Sequence, residues 1–330
     1  MYSLAIRLAA NGTETLVAAD KPYTTESLFA FKSFNVPRVV RPYFKRLALG
    51  RLPKIPEIVI CDSWKSVNSV PKWDAKLVVL AHGQEYLEPS ENRIKRIQKA
   101  LSRASLVVAS SQLTAELVRR VTQQPHVEVI YPTYMLSSPT VLDEKVESLP
   151  QILSLCRIER RKGLFQSAHA LASLKRQGID FRWTIAGNGP SIDELKEEIS
   201  NLGLAHQTVF AGRVDDETKT ALLNQADLFL MPSYQAGRSL EGFGISYIEA
   251  ASFGIPSIAG IAGGAPEAVL DGITGWCVDG SDTRAIEAAL NVALTDTELR
   301  RAYGKAAVSR FSEELLGDRV FDRFLKLAQG

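Results

Sequence analysis

The stretch Leu228–Gly264, LFLMPSYQAGRSLEGFGISYIEAASFGIPSIAGIAGG, decides how this chain must fold. Leu228–Met231 is a short apolar run of strand length. Ile245–Phe253 carries apolar residues at helical spacing, and Pro256–Ala259 is a second apolar run that ends in glycines. A strand, a helix and a strand in that order place the two strands parallel, because an antiparallel pair would need only a tight turn between them.

The same alternation continues on both sides of this unit. Upstream, strands are predicted at Gln151–Leu155, Phe181–Ala186 and Thr208–Ala211, with helices at Leu164–Gln177, Ile192–Leu202 and Asp216–Gln225. Downstream, helices are predicted at Arg284–Leu294, Glu298–Ser309 and Glu313–Ala328. The first half repeats the theme with a helix at Tyr2–Ala10 and strands at Thr15–Ala19, Ile58–Cys61, Leu77–Ala81, Leu106–Ala109 and Val127–Ile130. Helices at Asn92–Arg103 and Gln112–Val121 fall between them. Pro139–Pro150, rich in Ser, Pro and charge, reads as a linker. The expected fold is therefore α/β, with two facing Rossmann-like doubly wound domains at residues 1–140 and 141–312. The helix at 313–330 is expected to pack back on the first domain. Ligands of such sheets bind at the carboxyl ends of the strands.

Composition removes several classes of function. With 45% hydrophobic and 23% charged residues the chain is ordinary for a globular protein. No apolar run reaches the roughly 18 residues of a membrane span, and MYSLAIRLAANG lacks the regions of a signal peptide. Cys61, Cys156 and Cys277 are scattered among apolar neighbours, with no metal-ligand spacing, so no metal site and no cofactor are expected and the cytoplasm fits. Charge is uneven: residues 1–140 hold 19 basic against 11 acidic side chains, and the rest holds 20 against 26. Arg38–Lys54 interleaves cations with Tyr43, Phe44 and Leu47 and contains no acid. Such a pattern suits either a solvated loop-and-helix surface or an anionic membrane, and no nucleic-acid partner is expected.

Chemistry concentrates in the second half. Glu241 and Glu249 stand eight residues apart, with Gly242, Phe243, Gly244, Ile245 and Ser246 leading into the helix between them. Backbone N–H groups at such a helix start suit an anion or sugar hydroxyls, and carboxylates accept hydrogen bonds from vicinal hydroxyls. Taken alone, a helical Glu is a surface residue more often than a ligand. A second Gly-rich turn, Gly263-Gly264, opens the helix that carries Pro266. At the end of strand Gln151–Leu155, Cys156-Arg157-Ile-Glu-Arg160-Arg161-Lys162-Gly163 places cations where a diphosphate can be neutralised. Arg157 and Lys162 are the candidates, with Arg160 and Arg161 expected in solvent. Gly187–Pro190 and Gly212-Arg213-Val214 each follow a strand and could border a base.

The order CRIERRKG, AGNGP, FAGRV, EGFGISYIEAASFGIPSIAG, GGAPE and DGITGW resembles the family 4 retaining glycosyltransferases of the GT-B fold over residues 151–310. Within that family the wording looks closest to bacterial mannosyl- and lipid-linked sugar transferases. The resemblance implies that Arg157 and Lys162 hold the diphosphate of a UDP- or GDP-sugar, that Glu241 contacts the donor sugar, and that Glu249 binds the ribose. It also implies that Gly212–Val214 lie along the base, that no metal is needed, and that transfer retains anomeric configuration. LVVLAHGQEYLEP makes His82 a donor-sugar contact in the same reading, and LSRASLVVASSQLTAELV places Ser111 near an N-cap.

Two departures stand out. The sequence opens at the helix Tyr2–Ala10, so the first strand and Gly-Gly loop that precede this helix in relatives are missing. Either the start falls too late or the domain lacks part of its acceptor side, and the first is expected because losing a central parallel strand would leave backbone groups unpaired. Pro132-Thr133-Tyr134-Met135 also replaces the family's usual turn before the linker. The expected function is transfer of a hexose to a glycan or lipid-linked acceptor in envelope or polysaccharide biosynthesis, by a cytoplasmic protein peripheral at the inner face of the membrane. The alternatives are a nucleotide-sugar-binding protein without transfer and a nucleotide-sugar epimerase.

Overall fold

The computed structural model describes residues 2–20, 29–123, 126–133 and 149–329. The chain divides into two units, Met1–Ile130 with Asp318–Gly330, and Tyr131–Gly317.

The first unit runs α1 (Tyr2–Ala10), β1 (Leu16–Ala19), β2 (Ala30–Ser33), α2 (Arg41–Leu49), β3 (Ile58–Cys61), β4 (Lys76–Ala81), α3 (Glu91–Leu101), β5 (Leu106–Ala109), α4 (Gln112–Val121) and β6 (Val127–Val129). β3-β4-β5-β6 form one parallel sheet, and β1 pairs in parallel with β2 in a separate one. The sheet's buried strands are continuous apolar runs such as Leu106–Ala109, as parallel strands covered on both faces must be. Ser111 caps α4, its hydroxyl accepting from Thr114 N–H at 3.0 Å.

The second unit runs β7 (Gln151–Leu155), α5 (Leu164–Arg176), β8 (Arg182–Ala186), α6 (Ile192–Asn201), β9 (Thr208–Gly212), α7 (Asp216–Gln225) and β10 (Leu228–Met231). It continues with α8 (Ile245–Ser252), β11 (Ser257–Gly260), α9 (Ala265–Ala268), β12 (Gly275–Val278), α10 (Thr283–Thr295) and α11 (Thr297–Arg310). Its six parallel strands lie in the order β12-β11-β10-β7-β8-β9. Successive residues point to opposite faces. Ile152, Leu228 and Leu230 therefore pack among α5 and α10 side chains, while Leu153, Phe229 and Met231 pack with Tyr247 and Phe311. The buried Trp183 keeps its indole N–H satisfied on Ser154 Oγ at 3.0 Å. α12 (Gly317–Gln329) returns to the first unit, where Phe324 and Ala328 share a core with Val78, Leu106 and Val108.

Three elements go beyond the sequence reading: β2, α2 and β12. The expected single helix at Glu313–Ala328 is divided. A π-helical turn, Phe311–Leu315, ends at Leu316, whose extended backbone (φ −61°, ψ 135°) separates it from α12. Of the expected linker Pro139–Pro150 only Leu149 and Pro150 are among the described residues, and Tyr134 and Met135 of the departing turn also lie outside them.

Candidate functional site

In the second unit β7 leads to β8 and β9 on one side, while β10, β11 and β12 lie on the other. The strand order reverses between β7 and β10, and in such sheets a ligand binds beyond the carboxyl ends of the strands at that switch point. The loop after β7 carries the cations and the loop after β10 carries Glu241.

The loop after β7 is held by its backbone. Cys156 N–H donates to Ala186 O at 3.1 Å and Ile158 N–H to Asn188 O at 3.1 Å. A single 3-10 turn, Arg160–Lys162, ends at Gly163 in the left-handed region (φ 75°). A Cβ there would stand 2.1 Å from Pro232 O, so only glycine lets the two loops touch. Tyr234 N–H then donates to Arg161 O at 2.9 Å.

This contact aims a buried ion cluster. Lys162 Nζ pairs with Glu241 Oε2, and Arg161 Nη1 lies 3.3 Å from the same oxygen. Their side chains are 9%, 14% and 16% exposed for Lys162, Glu241 and Arg161. Arg161 Nε also pairs with Glu159 at 3.2 Å, and Glu159 in turn holds Arg157 at 3.1 Å. The two expected cations therefore differ. Lys162 is on Glu241, whereas Arg157 sits 70% exposed at the far end of the chain of ion pairs. Arg161, expected in solvent, is the second cation on Glu241. Arg160 does lie outward, paired with Glu194.

The turn after β11 locks Glu241 from behind. Gly264 N–H donates to Glu241 O at 2.8 Å. Gly263 sits at φ 79°, where a Cβ would come within 2.2 Å of that same carbonyl. Gly244 then starts α8, whose first N–H groups have no acceptor within the helix. Ile245 is exposed and Ser246 half-buried at this end, while Tyr247 anchors the helix by donating to Met231 O at 2.5 Å. The Phe243 side chain is buried and stacks on Tyr131 with ring centroids 5.0 Å apart, while the expectation for this position concerns its backbone. The side chain's contribution is to pin the loop.

Glu249 is buried on α8, and its Oε1 accepts from Lys219 Nζ at 3.0 Å. Burial pushes this carboxyl above its usual value, and Lys219 opposes the shift. Lys219 also meets Asp216 at 3.1 Å. Among the described residues no group of three His, Cys, Asp or Glu gathers as a metal site.

Residues 143–310 match the family model described as glycosyl transferases group 1. The chain belongs to that family. A GDP-mannose-dependent alpha-(1-6)-phosphatidylinositol monomannoside mannosyltransferase of Mycolicibacterium smegmatis is 41% identical over 159 residues, which are 48% of this chain and 42% of that protein. The putative colanic acid biosynthesis glycosyltransferase WcaL of Salmonella typhimurium is 33% identical over 148 residues, 44% of this chain and 36% of that one. The matched stretches thus span less than half the length of these relatives. In fold, sucrose-phosphate synthase from Thermosynechococcus elongatus superposes with a TM-score of 0.84 at 20% identity, covering 99% of this chain and 91% of that one. Anabaena HepE, solved with UDP and glucose, gives 0.78 at 18% identity over 98% and 94%. The architecture is the two-domain GT-B fold.

Other group 1 motif positions fall as follows. Gly212 O accepts from Gly187 N–H at 2.6 Å, which ties the ends of two motif loops together. Arg213 is exposed and Val214 half-buried, just before Asp215 caps α7 by accepting from Thr218 N–H at 2.8 Å. His82 belongs to the first unit, exposed after β4, with Nε2 2.9 Å from Asp62 O and its backbone N–H on Glu85 Oε1 at 3.0 Å. Sequence reasoning missed Lys219. Its only local signal, Asp216 three residues earlier on a helix, reads as an ordinary surface pair.

Proposed function

We propose that this chain is a retaining glycosyltransferase that moves a hexose from a UDP- or GDP-sugar to a glycan or lipid-linked acceptor, without a divalent metal. The observation that carries this reading is the Arg161–Glu241–Lys162 cluster at the switch point of the sheet. Two cations converge there on one largely buried carboxylate. An arriving diphosphate competes for Lys162 and Arg161, with Arg157 added from the surface, and frees Glu241 to accept from sugar hydroxyls. Glu249 accepts from the ribose hydroxyls, with Lys219 favouring its ionised form. Gly212–Val214 border the base. The N–H groups at Gly244–Ser246 and the turn Gly263–Gly264 complete the donor site.

In the transfer step the acceptor oxygen bonds to the anomeric carbon as the bond to the diphosphate oxygen breaks. The acceptor proton passes to the departing phosphate on the same face, which retains configuration. Lys162 and Arg161 stabilise the charge that develops on the leaving group. The names of the mannosyltransferase relative and of the HepE complex favour a GDP- or UDP-linked hexose. No helix among the described residues is long and apolar enough to cross a membrane. We place the chain in the cytoplasm, peripheral at the inner face of the membrane.

Calorimetry with UDP, GDP, UDP-glucose and GDP-mannose, with and without a chelator, tests the site. One nucleotide series should bind equally in both conditions. Arg161→Ala should weaken it roughly ten- to a hundredfold, the worth of a hydrogen bond to a charged group. Wild-type affinity in Arg161→Ala and Lys162→Ala alike would remove the reading.

A further inference from the structure

We infer that the outward face of α2 docks on an anionic lipid bilayer. This deepens the peripheral-membrane placement just proposed and rests on it. A helix at the surface of a globular protein normally turns its apolar stripe to the core and its charges to water. α2 does the reverse. Val40, Tyr43, Phe44 and Leu47 follow the i, i+3, i+4, i+7 spacing of one face, and all four are exposed, Tyr43 by 66%; the adjoining Val39 is 92% exposed. Two of the helix's three cations, Arg41 and Lys45, turn inward. Arg41 donates to Val36 O at 2.8 Å and to Asp20 Oδ2 at 2.6 Å, and Lys45 lies 2.7 Å from Asp20 Oδ1 and 3.3 Å from Ala18 O. Burial pushes the Asp20 carboxyl up, but Lys45 and Arg41 outweigh it and hold it below its usual value.

Of the twelve large hydrophobic side chains exposed among the described residues, six lie between Val39 and Ile55. Four of these six share one face of α2 and are not scattered singly over the surface. Four cations on α2 or within five residues of its ends in sequence are exposed as well: Arg38, Arg46, Arg51 and Lys54. No Asp or Glu occurs from Ser27 to Pro56.

An exposed apolar and aromatic stripe in an acid-free, cation-rich segment matches the two parts of a bilayer interface: acyl boundary for Tyr43, Phe44 and Leu47, anionic headgroups for the arginines and the lysine. A second copy of the chain fits worse. Two-fold pairing through α2 would bring two copies of the same cation-rich segment together, with no Asp or Glu between Ser27 and Pro56 to pair with its cations.

The full chain is sedimented with vesicles of phosphatidylcholine alone and of an equal mixture of phosphatidylcholine and phosphatidylglycerol. It should bind the mixture, and more weakly as salt shortens the screening length from about 10 Å at 0.1 M to about 3 Å at 1 M. Arg46→Glu with Arg51→Glu should weaken binding by about fivefold or more for each cation removed. Tyr43→Ser, Phe44→Ser and Leu47→Ser together should abolish the binding that survives high salt while leaving the thermal midpoint unchanged. Nucleotide calorimetry on every preparation separates the two readings. Intact nucleotide binding with no vesicle binding overturns the membrane face alone. Equal binding to both vesicles, or a triple variant that binds like wild type, also overturns it. So does a concentration-dependent dimer that the triple variant dissolves, since that result assigns the face to a second copy.

Discussion

α8 and α2 are of similar length, and each displays what the other hides. In α8, Tyr247 to Ser252 are all buried, including the carboxylate of Glu249, because β-sheet, α11 and the Phe311–Leu315 turn close on it. In α2 no residue is fully buried, and the apolar stripe faces out. A buried charge on α8 is held by one lysine from a neighbouring helix, while the inward charges of α2 share one aspartate. The first arrangement belongs to a site packed from every side. The second belongs to a surface still waiting for a partner. Burial rather than composition separates them, and five changes test that contrast.

Gly263→Ala should have the largest effect. Its Cβ would collide with the Glu241 carbonyl at a left-handed backbone position, costing about 2–4 kcal/mol from strain and overpacking. Urea unfolding measures this, and donor affinity should fall with it. Tyr43→Ser on α2 should stay within about 0.5 kcal/mol of wild type. Equal losses in the two would erase the contrast.

Lys162→Ala comes next. It leaves Glu241 with Arg161 alone in a largely buried place, at a cost of about 1–3 kcal/mol. A variant that melts like wild type would mean that Glu241 is solvated and the cluster is not a preformed site.

A smaller loss follows from Asp20→Ala, which removes the shared partner of Arg41 and Lys45. Asp20 is 53% exposed, so solvent screening limits the loss to about 1 kcal/mol or less. Amide exchange in α2 should speed up while exchange in α8 is unchanged.

Glu249→Gln should give the smallest change, and it carries a sign. Burial raises the Glu249 pKa above the usual carboxylate range. The folded state then binds the proton more tightly than the unfolded state does. That stabilisation is complete below the unfolded value and is lost as pH rises through the folded one. Glutamine avoids the loss. The midpoint of Glu249→Gln relative to wild type should therefore rise from about pH 4 to about pH 7, while nucleotide affinity falls. A relative midpoint that drops with pH would show Lys219 outweighing burial.

The alternation of strands and helices was legible along most of the chain. Gln112–Val121 and Leu228–Met231 form over the residues that periodicity predicts. Such elements follow from local spacing, glycine turns and caps, which neighbours in sequence dictate. α2 was not placed because its cations interrupt the apolar stripe, and the stripe meets no core that would mark it. β12, Gly275–Val278, opens on a glycine and is too short to show a period. At the site, the glycine turns and the two glutamates stood out in the sequence, and so did the basic run after β7. Which cation meets Glu241 did not. Arg157 and Arg161 are four residues apart in one short loop, and only the contact of that loop with Pro232 and Tyr234 turns Arg161 inward. The pairing of Lys219 with Glu249 spans 30 residues. The sequence by itself determined the elements and the chemical types at their ends. Only the tertiary structure decided the charge partners, because they depend on β7 lying beside β10 and on α7 reaching α8. Sheet order sets those neighbours, and no spacing along the chain records them.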